Sequence, residues 1–422
     1  EILPLITSCV DSSWLCSMVT TRASSTRRMI RPSDSPSKWK QAWDWYAESD
    51  FILQEEQLDK LANHTYSSCD TSWLDEMCMK AFWDRVVEFY PRWLAPNLIT
   101  LIGLLVNASC LFVFFLHCPT ASEEAPRWVY LLSGAGLFVY QTLDATDGKQ
   151  ARRIKCASPL GEMFDHGCDS MSQIIVTLQV CYTLRLGQLG SSIVFYTCVF
   201  SIIIFYAAHW STYCTGKLQF ARFDVTEAQM LIILTQVITA ILGPNLWTIG
   251  VGPVDLRSLV LLAGCLGLFR QAWSYLQTIM EGGGGKNGAT VADSSVIFPL
   301  FPLLAVIIPF GMIHSKTSPD IDQEQITIFA LFFGAVAAKA TNRVIVAYMS
   351  RSELFIWDWI YLGPLALILN QYWNLPLPEV PLLYASTLYA YINLLVYCYF
   401  VTRQLCARLN INCLTVSPRK PE

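Results

Sequence analysis

The chain has 422 residues, of which 53% are hydrophobic and 15% charged, and its mean hydropathy is +0.39. Soluble domains carry roughly 25% charged residues, so a large soluble enzyme is excluded: too little polar surface is available to cover it. The formal net charge of −4 points to no class of partner, and no nucleic-acid partner is expected.

The chain opens on "EILPLITSCV", which has no basic region before it and no clear cleavage site after it, so it does not read as a signal peptide. Residues 19–40, "VTTRASSTRRMIRPSDSPSKWK", are rich in Ser, Arg and Pro. Residues 1–50 are expected to be a disordered basic segment outside the fold. Residues 51–95 are expected to be a cytosolic, interfacial helical segment. In "DEMCMKAFWDRVVEFYPRWLA" (75–95), Met77, Met79, Phe82, Trp83, Val86, Val87 and Tyr90 recur at a spacing that suits one helix lying in the membrane interface. Asn63 starts an Asn-His-Thr glycosylation sequon that is expected to stay silent on the cytosolic side.

Residues 96–405 are expected to form the transmembrane domain. "NLITLIGLLVNASCLFVFFLH" (97–117) and "SSIVFYTCVFSIIIFYAAHW" (191–210) contain no Lys, Arg, Asp or Glu and are long enough to cross a bilayer as helices. Similar runs follow, giving about ten spans: 97–117, 128–145, 170–184, 190–213, 227–248, 258–280, 294–314, 325–349, 357–375 and 379–402. The third is short and the ninth carries Gly363 and Pro364. Backbone in lipid must satisfy its own hydrogen bonds, so these are helices. The fold class is therefore an all-α polytopic membrane protein, with about ten transmembrane helices preceded by an interfacial amphipathic helix.

Lys149, Arg152, Arg153, Lys155, Lys217, Arg222, Lys286 and Arg351 fall in loops on one side, joined by Arg403 and, in the tail (406–422), by Arg408, Arg419 and Lys420. The positive-inside rule puts that side, both termini and the 146–169 loop in the cytosol. The 15 cysteines sit mostly in spans or on this reducing side and include no CxxC pair, so they read as small apolar residues. The run "GGGGKNGAT" (282–290) reads as a flexible cytosolic loop whose Lys286 is in range of a phosphate.

The stretch "DATDGKQARRIKCASPLGEMFDHGCDS" (144–170) breaks the apolar pattern. Asp144 and Asp147 lie three apart at the cytosolic end of the second span, hence on one helix face. Glu162, Asp165, His166 and Asp169 follow i, i+3, i+4, i+7 and form one stripe at the start of the third helix. Two helix ends facing each other would bring four Asp together. Left alone they would repel, and a divalent cation such as Mg²⁺ or Mn²⁺ removes that cost while bridging to phosphate. Gly148 and Gly161 leave room for a nucleotide, and Arg152 can hold a phosphate bidentately. The stretch reads as a metal–diphosphate site. Two groups can act as general base there, His166 and Asp169. A neutral imidazole is the better acceptor near pH 7, a metal-bound carboxylate the weaker one. Glu162 lies one turn before His166, in reach to orient its ring. His209 is a candidate to line the cavity. Tyr140, Trp210 and Tyr213 are of the right type to hold a quaternary ammonium, but no cage follows from sequence.

The pattern D-x-x-D-G-x-x-A-R-x8-G-x-x-x-D-x-x-x-D, filled here by Asp144, Asp147, Gly148, Ala151, Arg152, Gly161, Asp165 and Asp169, is similar to the signature of the CDP-alcohol phosphotransferase family. "LAPNLITLIGL" (94–104), "AHWSTY" (208–213) and "GKNGATVADSSV" (285–296) extend the resemblance to the eukaryotic choline and ethanolamine phosphotransferases over roughly residues 55 to 410. The resemblance implies transfer of phosphocholine or phosphoethanolamine from CDP-choline or CDP-ethanolamine to diacylglycerol. It also implies two Mg²⁺ or Mn²⁺ ions on Asp144, Asp147, Asp165 and Asp169, nucleotide diphosphate contacts from Asn97 and Arg152, a homodimer, and an endoplasmic reticulum or Golgi membrane. Two other readings compete. A CDP-diacylglycerol-dependent phosphatidyltransferase shares the signature but is usually shorter. A cation transporter would use the acidic cluster as a path, yet the cluster sits at a span end, not at mid-membrane.

Overall fold

A computed structural model describes residues 52–65, 68–69, 72–219, 225–374 and 376–416. The expected disordered segment 1–50, the loop residue Arg222 and the tail residues Arg419 and Lys420 lie outside the described residues. Among the described residues, twelve α-helices carry the fold: α1 Glu55–Ala62, α2 Lys80–Glu88, α3 Pro96–His117, α4 Arg127–Arg153, α5 Pro159–Thr183, α6 Ser191–Thr215, α7 Val225–Leu242, α8 Leu256–Met280, α9 Leu300–Lys316, α10 Ile326–Ser350, α11 Leu362–Tyr372 and α12 Glu379–Leu409. Strand structure among the described residues is confined to two-residue pairs. Ser68–Cys69 pairs in parallel with Leu218–Gln219, and Gly250–Val251 pairs antiparallel with Val254–Asp255.

Six of these helices, α3, α6, α7, α8, α10 and α12, are long and apolar enough to cross a membrane. The other expected spans also fall on helices, but of a different character. α9 has 17 residues and α11 only 11. The expected 357–375 span shortens because Asp358 caps a 3₁₀ turn at Trp359–Tyr361 before α11 begins. α4 and α5 are long but carry the acidic stretch. The 146–169 region is mostly helix rather than loop: α4 continues through Gly148 and Arg152 to Arg153, and Pro159 restarts the chain at the first turn of α5. Only residues 154–158 connect them.

Helix α10 is the centre of the bundle and α8 its periphery: 83% of the most apolar stretch of α10 is buried, against 6% in α8. Small residues make the central packing close, as expected where lipid gives helices no hydrophobic drive to associate. A Cβ at Gly334 of α10 would fall 2.6 Å from Ile174 of α5. Buried Lys339 of α10 binds Asp358 at 2.8 Å and Asn393 of α12 at 2.6 Å, and Arg343 reaches the other Asp358 oxygen at 2.8 Å. These charges tie the segment after α10 to the bundle.

The expected single helix over 75–95 is shorter than its spacing suggests. A π-helical turn at Asp75–Met79 leads into α2, which ends at Glu88 before Pro91. It is still amphipathic: Trp83 and Val87 are buried, Asp84, Arg85 and Glu88 exposed. Polar residues of α4 clamp the segment. Arg153 donates to the carbonyls of Val87 and Tyr90, Gln150 to those of Pro91 and Leu94, and Lys149 pairs with Asp84 at 2.5 Å. The glycine run 282–288 is a closed, hydrogen-bonded turn rather than a flexible loop: Gly283 donates to Gly288, Gly285 to Ala289 and Gly284 to Cys214. A Cβ at Gly283 would collide with the Ala289 carbonyl oxygen, so these glycines serve close backbone approach.

Candidate active site

The C-terminal half of α4 and the N-terminal half of α5 place their acidic residues face to face. Ligand atoms of Asp144, Asp165 and Asp169 lie within 4.8 Å of one another. Two unit charges at that distance repel by about 3.5 kcal/mol at an effective dielectric of 20. Three such pairs approach the whole stability of a typical domain, about 5–15 kcal/mol, so the cluster calls for a compensating cation. Its donors suit one. Asp144 Oδ1 and Asp165 Oδ1 are buried and accept no hydrogen bond among the described residues. An all-carboxylate donor set favours a hard divalent cation. Asp169 is oriented by the Tyr140 hydroxyl, which donates to its Oδ1 at 2.7 Å. Asp147, also buried, stands outside the tight trio and accepts a hydrogen bond from Thr100 of α3, but it lines the same cavity.

That cavity, about 330 Å³, is lined by Asp144, Asp147, Asp165, His166, Glu162, Asn97, Gly148, Arg152 and Gly161. Apart from Asp169, which joins through the carboxylate trio, every residue expected to hold metal or nucleotide or to act as base therefore meets here. Exposed Arg152 folds toward Gly148, where a Cβ would lie 3.6 Å from its guanidinium. A Cβ at Gly161 would lie 3.8 Å from Asn97 Oδ1. Neither distance is a clash, so what these two glycines keep open is cavity space, not helix packing.

Three placements differ from the candidates named from sequence. No hydrogen bond joins Glu162 to His166 among the described residues. Glu162 instead meets His64, which follows α1: His64 Nε2 lies 3.3 Å from Oε1, in hydrogen-bond alignment, and 3.0 Å from Oε2. The His166 ring packs against buried His209 at 5.2 Å between centroids, and His209 sits in turn against Phe205. His209 is not among the residues lining the cavity. The three aromatics weighed for a quaternary ammonium have structural bonds: Tyr140 to Asp169, Trp210 Nε1 to the Val296 carbonyl, and the Tyr213 hydroxyl to the Ser352 carbonyl. Lys286 does not line the cavity either.

Sequence reading also missed the tail. Ile411, Cys413 and Val416 close one side of the cavity, and Asn97 Nδ2 donates to the Cys413 carbonyl at 3.1 Å. No local pattern marks this contact, since 316 positions separate the partners.

A sequence profile of CDP-alcohol phosphatidyltransferases matches residues 93–269, which contain the acidic cluster, Asn97 and His166. Cholinephosphotransferase 1 of Xenopus laevis is 41% identical over 367 residues, 86% of this chain and 91% of the relative. The proteins of that name from Homo sapiens and Danio rerio are 39% and 38% identical, covering 89% and 96% of their own lengths. A likeness this extensive, centred on residues that converge in one cavity, shows that the chain belongs to the CDP-alcohol phosphatidyltransferase family.

Proposed function

We propose that this chain transfers phosphocholine, and phosphoethanolamine where offered, from the CDP-alcohol to the hydroxyl of diacylglycerol, releasing CMP. The observation that carries the reading is the carboxylate trio opening on a cavity that also holds Asn97, Arg152 and His166. The names of its close relatives support choline as the alcohol.

Asp144, Asp147, Asp165 and Asp169 would hold Mg²⁺ or Mn²⁺, two ions in this reading, which when bound neutralise diphosphate charge. Arg152 and Asn97 bind the nucleotide diphosphate, and Gly148 and Gly161 leave it room. An unprotonated ring nitrogen of His166 accepts the diacylglycerol hydroxyl proton. The freed oxygen bonds to the phosphorus that carries the alcohol, and the bond from that phosphorus to CMP breaks. His166 is preferred to Asp169 because Asp169 belongs to the carboxylate trio and already accepts from Tyr140. Glu162, one turn before His166, offsets the charge the ring gains and orients it. Positioning and charge neutralisation supply most of the acceleration in such transfers. The site end of the bundle faces the cytosol of an endoplasmic reticulum or Golgi membrane in this reading, and the homodimer implied by the family resemblance belongs to it.

The test offers CDP-choline and CDP-ethanolamine separately, with diacylglycerol, to membranes lacking endogenous activity. CDP-diacylglycerol with inositol or glycerol phosphate serves as the opposing arm. Labelled phosphatidylcholine is expected; product only in the opposing arm refutes the reading. His166→Ala is expected to lower turnover about 10²–10⁴-fold, the usual worth of general base catalysis, with CDP-choline binding little changed.

A further inference from the structure

We propose that His64, outside the family signature and 98 positions before Glu162, is a positioning residue of the phosphotransfer site. It acts by holding the Glu162 carboxylate in place at the cavity wall it shares with His166. The inference deepens the function proposed above and rests on it.

The contact is buried on both sides: the His64 side chain is 9% exposed and that of Glu162 7%. His64 Nε2 aligns with Oε1, while Oε2, though nearer, accepts no hydrogen bond among the described residues. Glu162 lines the cavity beside His166. His64 Nε2 thus lies within 3.3 Å of both oxygens of a buried carboxylate at a cavity wall, yet Oε2 has no aligned donor among the described residues, and under-satisfied groups of that kind cluster where function requires them.

His64 is itself held from behind. Helix α1 buries Leu58 and Leu61, and Asp59 pairs with Arg408 of α12. The Leu53 amide donates to Gln404 Oε1 at 2.9 Å. The His64 ring then meets Tyr348 of α10 edge-on at 5.1 Å. Helices α10 and α12, both distant in sequence, thus hold α1 and the imidazole that follows it against one carboxylate. The carboxylate would otherwise keep the rotamer freedom of a long side chain. Partners that orient groups touching the reactants are typically worth about 10–100-fold in activity.

The experiment uses the full chain, purified in lipid nanodiscs with diacylglycerol and saturating Mg²⁺. His64→Phe keeps a ring for Tyr348 but donates nothing. His64→Gln keeps an amide donor near the position of Nε2. His64→Phe is expected to lose about 10–100-fold in kcat per folded molecule, with KM for CDP-choline unchanged, and His64→Gln to recover most of the loss. In a Glu162→Ala background, adding His64→Phe should cause no further loss, because His64 acts only through Glu162. If His64→Phe does not fold, His64→Asn, whose amide is too short to reach, carries the same expectation. A kcat equal to that of the parent protein, or an equally large further loss in the Glu162→Ala background, overturns the proposal. A parent protein inactive with both CDP-alcohols instead overturns the function itself and the role of His64 with it.

Discussion

The carboxylate trio makes a signed prediction about stability that is separate from its role in catalysis. Asp165→Asn removes one charge and hence two of the three repulsive pairs. With ligand atoms within 4.8 Å, each pair is worth about 3.5 kcal/mol at an effective dielectric of 20, so relief is at most about 7 kcal/mol. Water penetration and counter-ions reduce this ceiling. The part that remains acts in the opposite direction to the usual cost of a buried substitution. In excess chelator, the variant is therefore expected to unfold at a higher temperature than the parent, by a few degrees on the scale of about 1–2 °C per kcal/mol extrapolated for a chain this long. Adding Mg²⁺ should reverse the order. The parent gains stability by binding the ion with its native state alone, about 2.7 kcal/mol at a hundred times Kd, and the variant gains less. Intrinsic tryptophan fluorescence during heating reads both effects in detergent. Activity of the variant should be absent at every Mg²⁺ concentration. Identical unfolding temperatures in chelator, or equal stabilisation of both proteins by Mg²⁺, would refute the argument that these carboxylates are placed to hold a cation.

The other predictions concern space, charge and side. Gly148→Ala and Gly161→Ala should leave unfolding temperature unchanged, since neither Cβ meets protein closer than 3.6 Å, while KM for CDP-choline rises about tenfold or more; a stability loss with normal KM would assign these glycines to packing. Asp358→Asn removes the opposite charge from fully buried Lys339 and should cost about 3–5 kcal/mol. Lys339→Met should cost less because Arg343 still faces Asp358, and the two variants can be ranked by heating in the same detergent. In sealed microsomes, exposed Cys156 beside the site should react with an impermeant maleimide added outside, and a Cys introduced at Glu124 should not; the reverse would put the site in the lumen.

What could be read from sequence follows from the range over which each contact acts. Asp144 and Asp147, and then Glu162, Asp165, His166 and Asp169, are neighbours on their own helices. Helical spacing alone states which face they share, and two faces of matching chemistry had to meet. The apolar runs mark the helices in the same way, because lipid leaves the backbone no alternative. Boundaries are harder to read where polar residues continue a helix past the membrane, as Lys149, Gln150 and Arg153 do while clamping the segment before α3. Over 75–95, amphipathic spacing continues past the helix end before Pro91, so periodicity alone does not reveal it. Lys339 carries a legible signal, a cation in the middle of a span, but its partner Asp358 lies beyond the helix end and no periodicity names it.

The same reasoning separates two kinds of residue at the site. Those expected to touch a substrate are, apart from Asn97 of α3, gathered in the signature stretch, since α4 and α5 must present them together. Those that hold them in place arrive from elsewhere: Thr100 on Asp147, Tyr140 on Asp169, His64 on Glu162 and the Cys413 carbonyl on Asn97. Nothing in their local sequence requires them to be polar, because each is set by what lies across the interface and not by its own helix. A signature therefore identifies the reaction class but understates the machinery. Two of the supports, His64 and Cys413, come from the segments before the first span and after the last. The tail thus forms part of the site wall and the segment before the first span backs Glu162 from behind it, and a version trimmed to the spans alone would keep the carboxylate trio while losing the groups that hold its neighbours.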